Sequence, residues 1–174
     1  NVADSAGTVA LPQGWAAPDL PHGYKHSPSA RLLGQQLMVL ERSLYDVRLP
    51  LALEYVRASG VNRIVNRGPV DRIGIITAGK SYLDLRQALR TLGLTEADLA
   101  RYGIRVLKLG VIHPVEPEIV REFAAGLSEI VVVEEKRSFI EAAVKNILYG
   151  RADMPQVHGK QGPDGRTLLL EAGE

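Results

Sequence analysis

Apolar residues recur along this chain with two different periods, and the change from one to the other divides it. From about residue 31 they fall three and four apart, at Leu33, Leu37, Leu40, Leu44 and Val47, which predicts a helix with one buried face. Pro50 interrupts the run. Proline suits a first helical turn, so a second helix is predicted to start there and to run through Ala52 and Val56 to a C-terminal cap at Gly60. This region reads as two helices with a kink or break between them. After Gly68-Pro69, short apolar runs alternate with helical spacing. Strands are predicted over residues 72–77, 105–112 and 130–134, and the unbroken Ile130-Val131-Val132-Val133 suits a strand buried on both faces. Helices are predicted over residues 81–92 and 117–125, each followed by a glycine. A short helical turn starts at Thr95-Glu96-Ala97-Asp98, and a last helix begins at the capping box Ser138-Phe139-Ile140-Glu141 and continues through Val144 and Ile147 to Gly150.

Strand-helix-strand repetition implies parallel strands joined by right-handed crossovers. The predicted fold is therefore α/β, a three-layer domain with a mainly parallel sheet, preceded by a helical segment. Val157-His158-Gly159-Lys160 and Thr167-Leu168-Leu169-Leu170, separated by the turn Gly162-Pro163-Asp164-Gly165, are candidate edge strands. Residues 1–30 hold Pro12, Pro18, Pro21 and Pro28 and read as linker or tail. Residues 31–160 form the predicted domain, and 161–174 a C-terminal turn and edge segment. His22 and His26 stand four apart, but the surrounding prolines oppose the helix that would bring both imidazoles to one metal.

Composition narrows the function. The 174 residues are 45% hydrophobic and 24% charged, as in a globular protein. No apolar run reaches the roughly 20 residues that span a bilayer, and no signal peptide is visible, so the expected location is cytoplasmic, with no membrane partner. A formal net charge of +1 and an aromatic share of 5% give no basis for nucleic-acid binding. With no cysteine the chain has no thiol nucleophile and no cysteine-held metal or iron–sulfur cluster. It begins at Asn1, which fits a processed product or a segment of a longer protein.

Two readings compete for Gly74-Ile75-Ile76-Thr77-Ala78-Gly79-Lys80-Ser81. It satisfies G-x-x-x-x-G-K-S, the phosphate loop of nucleotide hydrolases, with Lys80 for the phosphates and Ser81 for magnesium. Val131-Val132-Val133-Glu134-Glu135 would then be the acidic strand, with Glu where the metal-binding Asp normally stands. In a phosphate loop, however, the strand precedes the first glycine. Here Ile73, Ile75 and Ile76 straddle Gly74, and residues 66–73 read as a turn. Gly74 is thus expected inside a strand, Ala78-Gly79-Lys80 as loop, and Ser81-Tyr82-Leu83-Asp84 as a capping box for the next helix.

The ordered set Gly74 to Asp84, Gly103-Ile104-Arg105-Val106-Leu107-Lys108-Leu109-Gly110, Pro114-Val115-Glu116-Pro117 and Val131-Val132-Val133-Glu134-Glu135-Lys136-Arg137 resembles a known family. It looks like the transketolase C-terminal-like domain of 2-oxoacid:ferredoxin oxidoreductases, most closely the indolepyruvate:ferredoxin oxidoreductase branch. Leu49-Pro50-Leu51-Ala52-Leu53-Glu54-Tyr55 and Val157-His158-Gly159-Lys160 also fit. The resemblance implies an enzyme that decarboxylates arylpyruvates oxidatively to acyl-coenzyme A, using thiamine diphosphate, magnesium and iron–sulfur clusters, with ferredoxin as electron acceptor. This chain lacks both the Gly-Asp-Gly signature for thiamine diphosphate and the cluster cysteines. The resemblance therefore implies a noncatalytic structural and docking module, inactive alone, whose partners are the other domains or subunits of the oxidoreductase; a homodimer is also allowed. A self-contained phosphate-loop enzyme is the alternative.

Open α/β sheets bind ligands at the C-terminal ends of their strands. Gly79, Lys80 and Ser81 after the first parallel strand, His113 after the second and Glu135 after the third thus make a candidate anion or interface site. No catalytic, cofactor or metal residue is assigned. His113, just before Pro114, is expected to be hydrogen-bonded at a strand end, and residues 134–137 to form an ion-paired surface or interface.

Overall fold

The structure, a computed structural model, describes residues 14, 17–27 and 33–169. The rest of the predicted tail, the predicted helix start at residues 31–32 and Leu170 lie outside the described residues. Helix α1 (Gln35–Ser43) passes through a π-helical segment (Leu44–Arg48) into α2 (Leu49–Ser59), which Gly60 ends in the left-handed conformation. The predicted break is thus a widened turn in a continuous helical run, and Pro50, which has no N–H to return to the preceding turn, follows directly on that widening. Residues 17–27 contain one tight turn, Tyr24 N to Pro21 O at 3.0 Å, and no helix, so His22 and His26 share no helix face.

A five-stranded sheet comes next: β1 (Arg63–Asn66), β2 (Ile73–Ala78), β3 (Ile104–Leu109), β4 (Glu129–Val133) and β5 (Gln156–His158), in the order β1-β3-β2-β4-β5. The connecting helices are α3 (Gly79–Thr91), α4 (Glu96–Tyr102), α5 (Pro117–Ala124) and α6 (Ile140–Leu148). Strands β2 to β5 are parallel, with Ile75 opposite Val106 on one side and Val131 on the other. Val157 and His158 form the expected edge strand, whereas Thr167 makes only an isolated bridge with Gln161. β1 is antiparallel to β3 and was not expected. It is short, with polar residues at both ends, and Asn66, read as the start of a turn, is its last residue; the Asn66 side-chain amide donates to Ile104 O at 2.7 Å.

Side chains alternate across a strand, so each strand serves two layers. Ile76, Leu107, Leu109, Ile130 and Val132 face α5 and α6 and are buried with Phe123, Val144 and Leu148. On the opposite face Lys108 Nζ lies 5.0 Å from the centre of the Tyr82 ring on α3. Gly74 is in the strand, as expected. A Cβ there would stand 2.6 Å from Leu127 Cδ1 and 2.8 Å from two ring atoms of Phe123, so the bare backbone admits the Phe123 ring to the core. No phosphate-wrapping loop exists: β2 runs through Gly74 to Ala78 and α3 begins at Gly79 without an intervening loop.

One charge is embedded in this core. Arg105, on β3, donates from Nε to Asp71 Oδ2 at 2.9 Å and from one terminal nitrogen to Phe123 O at 2.7 Å and Ala125 O at 3.0 Å. Asp71 in turn accepts twice from the Gly68 N–H. The guanidinium thus meets the negative end of α5 and a fully buried carboxylate together. Removing one partner of a buried pair leaves an uncompensated charge. Arg105→Ala is expected to lower unfolding free energy by about 3–5 kcal/mol, and Gly74→Ala by about 1–3 kcal/mol through overpacking against Phe123. Urea unfolding checks both; a neutral result for either would contradict this packing.

Candidate functional site

The crossover after β2 runs to β3 on one side and the crossover after β4 runs to β5 on the other, so the switch in strand order falls between β2 and β4. A crevice is expected outside the strand ends there. The structure has one, a cleft of about 760 Å³. Its walls are the start of α3 (Gly79, Lys80, Ser81), the end of β3 with the segment just after it (Leu109, Gly110, Ile112), and the β4–α6 loop from Glu134 through Arg137 to Phe139 and Ile140. Gly79, Lys80, Ser81 and Glu135 of the predicted set are therefore brought together. His113 is not. It is exposed, four residues beyond the end of β3, and its ring makes a tilted contact with Phe139 at 6.1 Å between centres. The expected hydrogen bond at a strand end is not formed among the described residues.

The start of α3 differs from the expectation. Ala78, not Ser81, is the N-cap residue; Ser81 lies in the first turn and makes no capping bond. Strand and helix join without a loop because Gly79 turns the chain at φ 53°, with open space where a side chain would be. Asp84 does not reach back to Ser81. Both its oxygens accept from Lys80 Nζ at 2.7 Å.

The helices opposite are capped by carboxylates from outside their own first turns. Glu134, at the end of β4, accepts from the N–H groups of Phe139 (3.0 Å), Ile140 (2.8 Å) and Glu141 (3.1 Å), which replaces the predicted Ser138 capping box. Lys160 Nζ donates to the carbonyls of Glu134 (2.7 Å) and Glu135 (3.0 Å), holding that loop from behind. Glu141 turns inward, accepting from Lys145 Nζ and, at 3.0 Å, from the Lys160 N–H. Glu116 caps α5 through the N–H groups of Glu118 (3.0 Å) and Ile119 (2.7 Å) and accepts from Arg57 at 2.8 Å, so the preceding helices are fastened to the α/β domain. Only the capping box Thr95/Asp98 of α4 agrees with the local sequence signal.

Burial is the largest influence on the Glu116 carboxyl and pushes it up, but Arg57 and the two helix amides outweigh it and hold the group below its ordinary value of 4.5. Burial of Glu141 is likewise outweighed, by Lys145 and the Lys160 amide. Among the described residues no group of His, Cys, Asp and Glu could hold a metal ion. Charged residues 134–137 form no ion pairs among the described residues: Glu134 caps a helix, while Glu135, Lys136 and Arg137 have no side-chain partner there. The sequence reading also missed the apolar wall of Ile112 and Phe139. Its one signal was a phenylalanine, one of only two, outside the apolar period.

The fold and crevice define an open α/β domain with a ligand-sized cleft at its topological switch. The family model for the indolepyruvate oxidoreductase domain matches residues 63–173, well over half of the chain, and the chain belongs to that family. It is similar to indolepyruvate oxidoreductase subunit IorA of Methanothermobacter marburgensis (35% identity, covering 59% of this chain and 15% of the relative). IorA of Methanothermobacter thermautotrophicus is 32% identical, over 70% of this chain and 18% of the relative. The chain thus spans under a fifth of either protein. Among solved structures it resembles a split-gene transketolase in an inactive β4 tetramer (TM-score 0.42, 20% identity, 57% of this chain and 31% of that one). A 2-oxoglutarate:ferredoxin oxidoreductase from Magnetococcus marinus with 2-oxoglutarate, coenzyme A and succinyl-CoA bound is similar at TM-score 0.46 and 15% identity, over 84% of this chain and 23% of that one.

The caps give opposite expectations for two substitutions. Ser81→Ala is expected to change stability by less than about 0.5 kcal/mol, whereas Glu134→Ala removes the α6 cap at a cost of about 0.5–2 kcal/mol. Glu116 and Glu141 have lowered folded-state pKa values, so the stability they contribute is present above 4.5 and is lost as pH falls through the folded values. Urea midpoints should therefore drop on acidification below about 4.5, and Glu116→Gln should flatten that drop. A parallel decline in the variant would contradict the assignment.

Proposed function

We propose that this chain is a noncatalytic structural and docking domain of a thiamine-diphosphate-dependent indolepyruvate:ferredoxin oxidoreductase, the full enzyme decarboxylating arylpyruvates oxidatively to acyl-coenzyme A. The observation that carries the reading is the family match over residues 63–173. Two further features support it. The chain has no cysteine to ligate an iron–sulfur cluster and no Gly-Asp-Gly for thiamine diphosphate and magnesium, so these groups belong to other domains or subunits of the enzyme. It also leaves apolar side chains outside its core: Leu37, Met38 and Val39 on α1, and Leu83 and Leu92 along and just after α3 are 49–71% exposed.

A neighbouring domain or subunit would cover those side chains, and ferredoxin and coenzyme A would be partners of the full enzyme. In this reading Gly79, Lys80, Ser81, His113 and Glu135 belong to a site open to an anion or to a neighbouring domain, in a cytoplasmic enzyme. No helix among the described residues is long and apolar enough to cross a membrane.

The phosphate-loop alternative lacks its loop. Calorimetry of the chain with thiamine diphosphate and magnesium tests the proposal: no saturable heat is expected, and no oxoacid-dependent reduction of ferredoxin. Stoichiometric thiamine diphosphate binding would overturn the noncatalytic assignment.

A further inference from the structure

Strand β4 is apolar on both sides, but only one side is covered. Ile130 and Val132 are fully buried with the α5/α6 layer, whereas Glu129, Val131 and Val133, which alternate with them, stay partly exposed. Ile75, which pairs with Val131 from β2, is partly exposed too. On this second face α3 lies against β2, and α4 against β3 and β1. The helices that lead into and out of β4 are α5 and α6, both on the first face. Parallel strands with such continuous apolar runs are covered on both faces in α/β domains. The strip left open is β4 and β5. Neighbouring strands stand ~4.8 Å apart, so two of them span about 10 Å, the diameter of one α-helix. The five residues of β4 extend about 17 Å, the length of about 11 helical residues. One carboxylate stands on the strip: Glu129 is 42% exposed and meets His158 Nε2 at 3.5 Å, and no lysine or arginine pairs with it among the described residues. Residues 170–174 are too few to fill the strip, and residues 1–13 hold Val2, Val9 and Leu11 as their only branched apolar side chains, without helical spacing.

We infer that the strip over β4 and β5 receives one amphipathic helix of about 11 residues from another domain or subunit of the enzyme, its aliphatic face on Ile75, Val131 and Val133 and a lysine or arginine at Glu129. This rests on the docking role proposed above and goes beyond it by naming the surface and the kind of partner. A second sheet would need a broad open face, and α3 stands over β2 at one margin of the strip. The basic side chain is required because a carboxylate covered without a counter-charge is destabilised.

The test places the photocrosslinker p-benzoylphenylalanine at Gln156, the exposed neighbour of Glu129 on this face, in the enzyme assembled from full-length subunits. After irradiation the linked peptide is sequenced by mass spectrometry. One peptide from outside residues 1–174 is expected, with apolar residues three and four apart and a lysine or arginine beside them. Glu129→Lys should cut the crosslink yield about tenfold, and reversing the basic residue of that peptide to Glu should restore it. Glu129 and Gln156 both reach solvent, so circular dichroism of the isolated variants should match the parent and verify that they fold. A link to this chain's own residues, no link, a peptide without helical spacing, or an undiminished yield in Glu129→Lys would overturn the inference. Thiamine diphosphate content of the same preparation separates the two failures. A preparation that lacks it overturns the oxidoreductase reading and this inference with it; one that contains it but yields no helix overturns this inference alone.

Discussion

The Arg105 guanidinium inside the sheet is the constraint on which the remaining geometry depends. A charge placed among apolar side chains must find partners that nearly cancel its desolvation. Arg105 finds them in three segments: Asp71 before β2, and the carbonyls of Phe123 and Ala125 at the end of α5. The starts of β2 and β3 and the end of α5 are thereby held at one point. With α5 so placed, Phe123 lies over β2, and only glycine at position 74 leaves room for its ring. Those contacts set β2 between β3 and β4 with their C-terminal ends together, and the cleft opens there.

Carboxylates at helix starts finish the cleft. Glu134 determines where α6 starts, and so how the loop carrying Lys136, Arg137 and Phe139 is shaped. Glu116 does the same for α5 and adds the tie to Arg57 that docks the α1–α2 rod. The two faces of the sheet are covered unequally. The α5/α6 layer is packed to near-zero exposure, but α3 buries no residue fully. A layer with that little buried apolar area has weak driving force by itself, which suits a surface that is completed by another domain.

The strands and helices after Gly68 were legible because the change from helical spacing to continuous apolar runs is strong there, and glycine stops mark the helix ends. The strand position of Gly74 was readable from the isoleucines on either side of it. β1 was hidden because four residues with polar ends carry almost no period-two signal, and its pairing with β3 is fixed by contacts far along the chain. Both serine capping boxes failed for one reason: a local motif specifies only which bonds are available, and tertiary structure supplied a different start for α3 and a better-placed carboxylate for α6. Strand-end position led to Gly79, Lys80, Ser81 and Glu135, which line one cleft, and to His113, which does not. The apolar wall could not be found that way, since Ile112 and Phe139 meet only after both crossovers are made.

The central claim is that this domain works as part of a larger oxidoreductase, with its thinly covered surfaces closed by neighbours. Hydrogen–deuterium exchange of the chain alone and within the assembled enzyme tests that claim most directly. The account predicts added protection in α1 and α3 on assembly, with exchange at the Arg105–Asp71 core already slow in both states. Identical exchange in α1 and α3 in the two states would contradict it.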